Sequence, residues 1–313
     1  TGMGINIFNF GLTSTPAMFM STIFEGYQYD GAIMLTASHL PFNRNGMKFF
    51  TCEGGLEKQD ITDILELAEK GEFPESEVKG TVQEVDFISV YAKDLVEKIR
   101  KGANDPENYE QPLKGLRIIV DAGNGAGGFF ASKVLEPLGA DTTGSQFLEP
   151  DGTFPNHIPN PEDKKAIKSL KEAVLKHKAD FGIIFDTDVD RAGAVDKNGK
   201  EINRNRIIAL MASIVLEEHP STVIVTDSIT SDELKVFIEE KLGGKHHRFK
   251  RGYKNVINEA IRLNNEGKEC HLAIETSGHG ALKENYFLDD GAYLIAKILI
   301  KMSRLKRMGK TID

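Results

Sequence analysis

Two short stretches carry residue types that can hold or move a phosphoryl group. Thr36-Ala37-Ser38-His39-Leu40-Pro41, followed by Asn45-Gly46-Met47-Lys48, sets a hydroxyl beside an imidazole on a loop broken by Pro41 and Gly46. A serine that accepts and donates phosphate uses a neighbouring base and a nearby ammonium. A turn of small polar residues before a proline produces the same string for local reasons alone. The second stretch, Asp186-Thr187-Asp188-Val189-Asp190-Arg191, follows Phe181-Gly182-Ile183-Ile184-Phe185, which reads as a short buried strand. Three carboxylates at alternate positions can converge on one hard divalent cation through oxygen. Packed together without compensation, they repel one another. An EF-hand loop beginning at Asp186 would need glycine at its sixth position and glutamate at its twelfth; Arg191 and Lys197 stand there, which excludes that reading. A solvated acidic turn remains the alternative.

Each stretch needs a rigid element behind it. Gly31-Ala32-Ile33-Met34-Leu35 reads as a short buried strand delivering Ser38 at its carboxyl end, and Ser14-Thr15-Pro16 sets up a helix start. Ile88, Tyr91, Leu95 and Ile99 recur at helical spacing, which places that tyrosine in a core. The polar run from Lys101 to Pro112 is the clearest linker. Leu116-Arg117-Ile118-Ile119-Val120 predicts a strand, then a glycine-rich turn over 121–128 into a helix ending near Gly139. Gly123, Gly125 and Gly127 alternate strictly, and a dinucleotide-binding spacing appears only if Gly128 is borrowed. A helix over 164–178 puts Ile167, Leu170, Val174 and Leu175 on one face.

A third unit opens near Pro220 with the strand Thr222-Val223-Ile224-Val225-Thr226 and a capped helix after Ser231. His271-Leu272-Ala273-Ile274 is a further strand, delivering Glu275 and Ser277. His246-His247 reads as a surface pair, because adjacent side chains rarely share an ion. A short hydrophobic strand followed by a polar loop at its carboxyl end thus recurs three times, where ligands bind in open α/β sheets. The recurrence predicts related copies. The expected fold class is α/β, with three related αβ domains with mixed sheets at 1–105, 112–218 and 219–313.

Composition narrows the function. A chain of 313 residues exceeds one ordinary core and suggests two or three domains. A net charge of −8 argues against nucleic acid as a main partner, so any phosphate site must be built from local Arg, Lys, backbone donors or metal. Cys52 and Cys270 are too few for a disulfide framework and point to a reducing compartment. No apolar run reaches the length of a membrane span and no signal peptide is visible. The expected location is cytoplasmic, or an organelle such as a plastid if a targeting peptide was removed.

Taken together, these segments resemble the α-D-phosphohexomutase superfamily of phosphoglucomutases, phosphomannomutases and phosphoglucosamine mutases. Ser38 matches the family's phosphoserine; Asp186, Asp188 and Asp190 match its metal aspartates, and Arg191 the arginine after them. Glu275-Thr276-Ser277-Gly278-His279 matches the sugar-recognition loop, and Arg251-Gly252-Tyr253-Lys254 a segment that tells two substrate orientations apart. Supporting matches are Asp121 to Gly127, Pro150 to Pro155, Pro159 to Glu162, and Asp289-Asp290-Gly291. The resemblance covers nearly the whole chain. It implies that an opening strand lies before residue 1 and a fourth domain after Asp313.

The resemblance further implies one Mg2+ ion on Asp186, Asp188, Asp190 and phosphorylated Ser38, with a hexose 1,6-bisphosphate as activator. Ser38, His39 and Lys48 are the implied catalytic group, with Lys48, His39 or Lys254 as proton carrier and Lys48 the best match by position. Arg191, Arg251, Gly252, Lys254, Glu275, Ser277 and His279 are the implied substrate contacts. The partner is a hexose phosphate, with no nucleic acid or membrane, and the protein a monomer or homodimer. Leu40 stands where the family usually has asparagine, and Thr187 and Val189 where small residues are common. The stiffness of β-branched residues is expected to work against convergence of the three carboxylates. Two rival readings follow: a non-catalytic sugar-phosphate-binding paralogue, and a phosphatase in which water takes the phosphate from Ser38. Weak mutase activity at best is expected of residues 1–313 alone.

Overall fold

The computed structural model describes residues 1–313. Its first unit contains β1 (Ile7–Asn9), α1 (Thr15–Met20), β2 (Ala32–Leu35), β3 (Met47–Thr51), β4 (Gly54–Gly55), α2 (Lys58–Lys70), β5 (Val82–Glu84) and α3 (Phe87–Ala103). β2, β3 and β4 form an antiparallel sheet, and β1 pairs in parallel with β5. The start of α1 follows its sequence signal: Ser14 Oγ accepts from Ala17 N at 3.3 Å, and Pro16 occupies the first turn. β2 differs from expectation. Ala32 is buried, but Ile33 and Leu35 are 52% and 72% exposed. They share a face with Met47, which pairs with Leu35, and no element covers that face. α2 also buries none of its side chains. The linker begins later than the sequence suggested, because α3 continues to Ala103 and ends at a left-handed cap on Asn104.

The second unit contains β6 (Ile118–Asp121), α4 (Lys164–His177), β7 (Phe181–Phe185), β8 (Ala192–Asp196), β9 (Glu201–Ile202) and α5 (Asn205–Glu218). Its sheet runs β6-β7-β8-β9, parallel at the first pair and antiparallel at the next two. β7 and β8 are buried at every position. The helix expected to end near Gly139 is instead a 3₁₀ turn over Ala126–Gly128 and a π-helical turn over Phe130–Leu135. The glycines permit close packing there: a Cβ on Gly125 would lie 2.6 Å from Thr187 O. Gly125 therefore packs under the aspartate loop, which accounts for the glycine without a nucleotide.

The third unit contains β10 (Val223–Asp227), α6 (Asp232–Val236), β11 (Lys245–Phe249), α7 (Tyr253–Asn265), β12 (Cys270–Ile274), β13 (Gly280–Leu282) and α8 (Gly291–Arg307). β10 pairs in parallel with β11 and β12, and β12 antiparallel with β13. His246 and His247 are half-buried rather than surface residues. His246 Nε2 is 2.7 Å from Thr226 Oγ1, and His247 Nε2 is 2.9 Å from Glu259 Oε1. Alternation along β11 sends them to opposite sides, so they still share no ion.

A single apolar core, from Ala17 through Ile298 to Met302, draws on all three units. α8 is its centre, burying Leu294, Ile295, Ile298 and Leu299, each worth about 1.5–3 kcal/mol relative to exposure. Asp290 caps that helix through Tyr293 N at 2.8 Å, and the Tyr91 hydroxyl from α3 donates to both of its oxygens at 2.7 and 2.8 Å. Burial pushes the Asp290 carboxyl up to about 6. In every unit the polar loop joins a strand to its antiparallel neighbour: β2 to β3, β7 to β8, β12 to β13. No helix is long and apolar enough to cross a membrane.

Candidate active site

The Ser38 loop is pinned at its ends. Thr36 N donates to Gly46 O at 3.1 Å, and a Cβ on Gly46 would lie 2.7 Å from Thr36 O, so only glycine fits that approach. Ser38 itself takes φ 51°, a left-handed conformation uncommon for a residue with a side chain, stabilised by Ser38 N donating to Thr36 Oγ1 at 2.9 Å. The result aims Ser38 at the second unit: its Oγ donates to Asp186 Oδ2 at 3.1 Å.

Asp186, Asp188 and Asp190 are buried, with one oxygen from each within 4.8 Å of the others. The expectation that Thr187 and Val189 would work against convergence is therefore not met. Val189 adopts φ 68°, an unfavourable conformation for a β-branched residue that costs about 1–3 kcal/mol. Its surroundings hold it there: Val189 is fully buried, Gly291 N donates to Val189 O at 3.1 Å, and Ala126 N donates to Thr187 O at 2.7 Å.

Lys48 reaches this cluster from β3, with Nζ 2.9 Å from Asp188 Oδ2 and 2.6 Å from Asp190 Oδ2. Burial opposes its charge, but Asp190 and Asp188 outweigh burial and raise its pKa, so Lys48 is a protonated counter-ion. Burial, with Asp190 and Asp188 alongside, pushes Asp186 well above the usual carboxylate range. Burial would raise Asp190 too, but Lys48 and His279 pull it below that range. Asp188 Oδ1 and Asp190 Oδ1 are buried without any hydrogen-bond partner. Orphaned carboxylate oxygens are costly, and this all-oxygen donor set fits a hard divalent cation.

Arg191 organises the other side. Its Nε donates to Asp186 Oδ2 at 3.1 Å, Nη1 to Asn160 Oδ1 at 3.3 Å, and Nη2 to His39 Nδ1 at 2.6 Å. A guanidinium always donates, so His39 Nδ1 is an acceptor and its proton sits on Nε2. Burial and then Arg191 lower the His39 pKa accordingly. Ser38 Oγ is 3.3 Å from that same Nδ1, but its single proton goes to Asp186 Oδ2 and Nδ1 is taken by Arg191.

The third loop closes the group. Asp227, ending β10, accepts from Thr276 Oγ1 at 2.6 Å, and Glu275 Oε1 accepts from Gly252 N at 2.5 Å. Ser277 Oγ donates to Glu275 Oε2 at 3.2 Å. Ala192 N donates to Gly278 O at 3.2 Å, and Arg191 and His279 form a backbone bridge, so the second and third loops touch directly. His279 hydrogen-bonds Asp289. Burial opposes the imidazolium, but Asp289 and then Asp190 raise its pKa to about 9.

The structure thus brings together Ser38, His39, Lys48, the three aspartates, Arg191 and His279, with Gly252, Glu275 and Ser277 beside them. Lys254 lines the same cavity as Lys48, Asp190 and Asp289. Arg251 is exposed, and Lys254 is engaged by Leu56 O and by Glu57 Oε1, the latter at 3.1 Å. Sequence reasoning missed Thr15 in the site, having read it only as part of a helix start. A spacing of 173 residues from its partner Asp188 leaves no local signal.

Three α/β units bring a serine and a buried carboxylate trio together at the junction of their loops. Residues 1–75, 90–199 and 203–313 match, in that order, the phosphoglucomutase/phosphomannomutase alpha/beta/alpha domains I, II and III. The chain belongs to this family, within the α-D-phosphohexomutase superfamily. It is 34% identical over 300 residues to a phosphoglucomutase of Neisseria meningitidis serogroup A, covering 96% of this chain and 61% of that protein. It is 30% identical over 306 residues to the phosphomannomutase/phosphoglucomutase of Pseudomonas aeruginosa strain PAO1, covering 97% and 61%. A solved phosphoglucomutase/phosphomannomutase family protein from Burkholderia thailandensis superposes with a TM-score of 0.79 at 28% identity, covering 97% and 63%. The chain thus spans a little over three fifths of the length of these relatives.

Proposed function

We propose that this chain carries the phosphoserine, metal and sugar-recognition sites of a phosphohexomutase. The carrying observation is the 3.1 Å contact of Ser38 Oγ with Asp186 Oδ2, which sets a strained serine at the edge of a buried carboxylate trio. Phosphorylated Ser38 donates to a free hydroxyl of a hexose monophosphate. The P–O bond to Ser38 breaks, a P–O bond to the sugar oxygen forms, and the proton lost by the sugar hydroxyl ends on the departing Ser38 Oγ, which becomes a free hydroxyl. The bisphosphate turns round and returns its other phosphate to Ser38.

Each residue has a physical task in this scheme. Arg191, fixed by Asp186, Asn160 and His39, presents a planar guanidinium to phosphoryl oxygens. Glu275 and Ser277 accept from and donate to sugar hydroxyls, and Gly252 N orients Glu275. His279, as an imidazolium, adds positive charge beside the aspartates. Asp186, Asp188 and Asp190 would hold a single Mg2+, which supplies charge neutralisation to the Ser38 phosphoryl group when bound. Phosphoryl transfer needs such neutralisation and in-line positioning above all.

The test is intact mass and peptide mapping after incubation with magnesium and glucose 1,6-bisphosphate, beside Ser38→Ala. One phosphate on Ser38, absent from the variant, is the expected result. Binding of the bisphosphate with no phosphate on either protein would overturn the catalytic reading in favour of a binding paralogue.

A further inference from the structure

His279 is held by two residues that lie in matched segments but received no role from the sequence. Its Nδ1 hydrogen-bonds Asp289 Oδ2, and the other oxygen of that buried carboxylate accepts from Gly280 N at 3.0 Å. A backbone bridge between Ala281 and Asp289 fixes where the carboxylate stands. The imidazole also lies against the Tyr253 ring, with centroids 5.0 Å apart and planes 22° from parallel. The ring is therefore gripped on one edge and one face.

The remaining nitrogen is what makes this more than a structural pair. His157 provides an internal comparison, since it commits both nitrogens to the protein: Nδ1 to Ile158 O at 3.0 Å and Nε2 to both oxygens of Asp121 at 3.0 Å. That is how a histidine serving only the fold is satisfied. His279 Nε2 hydrogen-bonds no protein group and is not among the sealed, unpartnered atoms, so it is open to a ligand. The ring sits next to the reacting groups, with ligand atoms of Asp190, His279 and Asp289 within 4.8 Å of one another. A carboxylate bound to one imidazole nitrogen fixes the ring's orientation and leaves the other to act.

We propose that Asp289 is a positioning residue which, with Tyr253 as a second wall, sets His279 to donate from Nε2 to a phosphoryl oxygen of the substrate. The inference rests on the phosphohexomutase reading and deepens it. Asp289 touches no substrate itself; it acts through the ring. Tyr253, at the first position of α7, ties that orientation to the segment carrying Gly252.

The experiment uses residues 1–313 with magnesium and glucose 1,6-bisphosphate. Asp289→Asn keeps the shape and the acceptor for Gly280 N but replaces the partner of Nδ1. Its affinity for the bisphosphate, by calorimetry, is expected to fall about 10- to 100-fold, typical for loss of a partner that orients a functional histidine. The urea midpoint should move little, and Tyr253→Leu should produce a smaller loss. In the wild type, ¹⁵N-edited NMR should show a low-field proton on His279 Nδ1 that disappears in Asp289→Asn. Equal bisphosphate affinity in wild type and Asp289→Asn would overturn the proposal. So would a wild-type His279 without a proton on Nδ1, a readout that holds even if the variant fails to fold. A wild type that takes phosphate on Ser38 while Asp289→Asn binds unchanged defeats this inference alone; a wild type that neither binds nor takes phosphate defeats the functional reading beneath it.

Discussion

Thr15 is bound twice to Asp188. Thr15 Oγ1 donates to Asp188 Oδ2 at 2.5 Å, and Thr15 N donates to Asp188 O at 2.9 Å. The first turn of α1 thus holds the middle carboxylate of the second unit. Thr15→Val keeps the side-chain shape and the backbone bond but removes the hydroxyl from a buried carboxylate. It should destabilise the chain by about 1–3 kcal/mol in urea titrations. Added magnesium should recover part of that loss, because the same carboxylate gains another partner.

Lys48 is the counter-ion of Asp188 and Asp190, and its side chain is 25% exposed while theirs are nearly sealed. Lys48→Met should destabilise the chain by on the order of 3 kcal/mol in the presence of a chelator, at the low end for breaking a buried pair because of that exposure. Thermal melts with and without magnesium check this. The variant should gain more from the ion than the wild type does.

Gly125→Ala places a Cβ 2.6 Å from Thr187 O, and the obstacle is backbone on both sides. Overpacking of this kind costs about 1–3 kcal/mol. The expected result is a lower urea midpoint together with slower phosphate uptake on Ser38, since the displaced strand of backbone is the one between Asp186 and Asp188. A variant that loses stability but retains the wild-type uptake rate would show that the aspartate loop adjusts freely.

His157 gives a stability effect with a definite sign. Burial disfavours its charge, but the hydrogen bond to Asp121 wins and raises its pKa above 6.5. A raised folded pKa stabilises the protein fully below the unfolded value and ceases to do so as pH rises through the folded value. Urea midpoints should therefore fall as pH rises from near 6.5 through the folded pKa. His157→Gln should flatten that slope. The loop carrying Asn160, a partner of Arg191, follows His157 directly, so phosphate uptake should weaken over the same range.

Much of this was legible because the information was local. The aspartate trio sat at the end of an apolar run that became β7, and Ser14-Thr15-Pro16 became the start of α1 through capping and the fixed φ of proline. The loops after β2, β7 and β12 were placed at strand ends, but their antiparallel partners β3, β8 and β13 carried no signal that was read. β2 was misread because its apolar residues resemble those of a buried strand, and sequence does not say which face of a sheet is covered. The π-helical turn after Gly128 escaped for a related reason: periodicity alone does not separate it from an α-helix. Lys48 was found, but its contacts with Asp188 and Asp190 span about 140 residues and left no local signal. Thr15 gains its role only from such a long-range neighbour, whereas Tyr253 and Asp289 gain theirs from His279, which lies much nearer along the chain.

Asp289 and Asp290 are consecutive yet serve opposite masters. The first turns to His279 at the site, the second to Tyr91 and the cap of α8 in the core. The segment from Gly280 to Gly291 consequently acts as a measured spacer. Its length sets how far His279 stands from the central helix. Inserting one residue between Leu282 and Leu288 would set Leu288 opposite the imidazole, and deleting one would set Gly291 at the cap of α8, so either change leaves one of the two positions without a carboxylate. The site can tolerate changes of side chain at that hairpin more readily than changes of count.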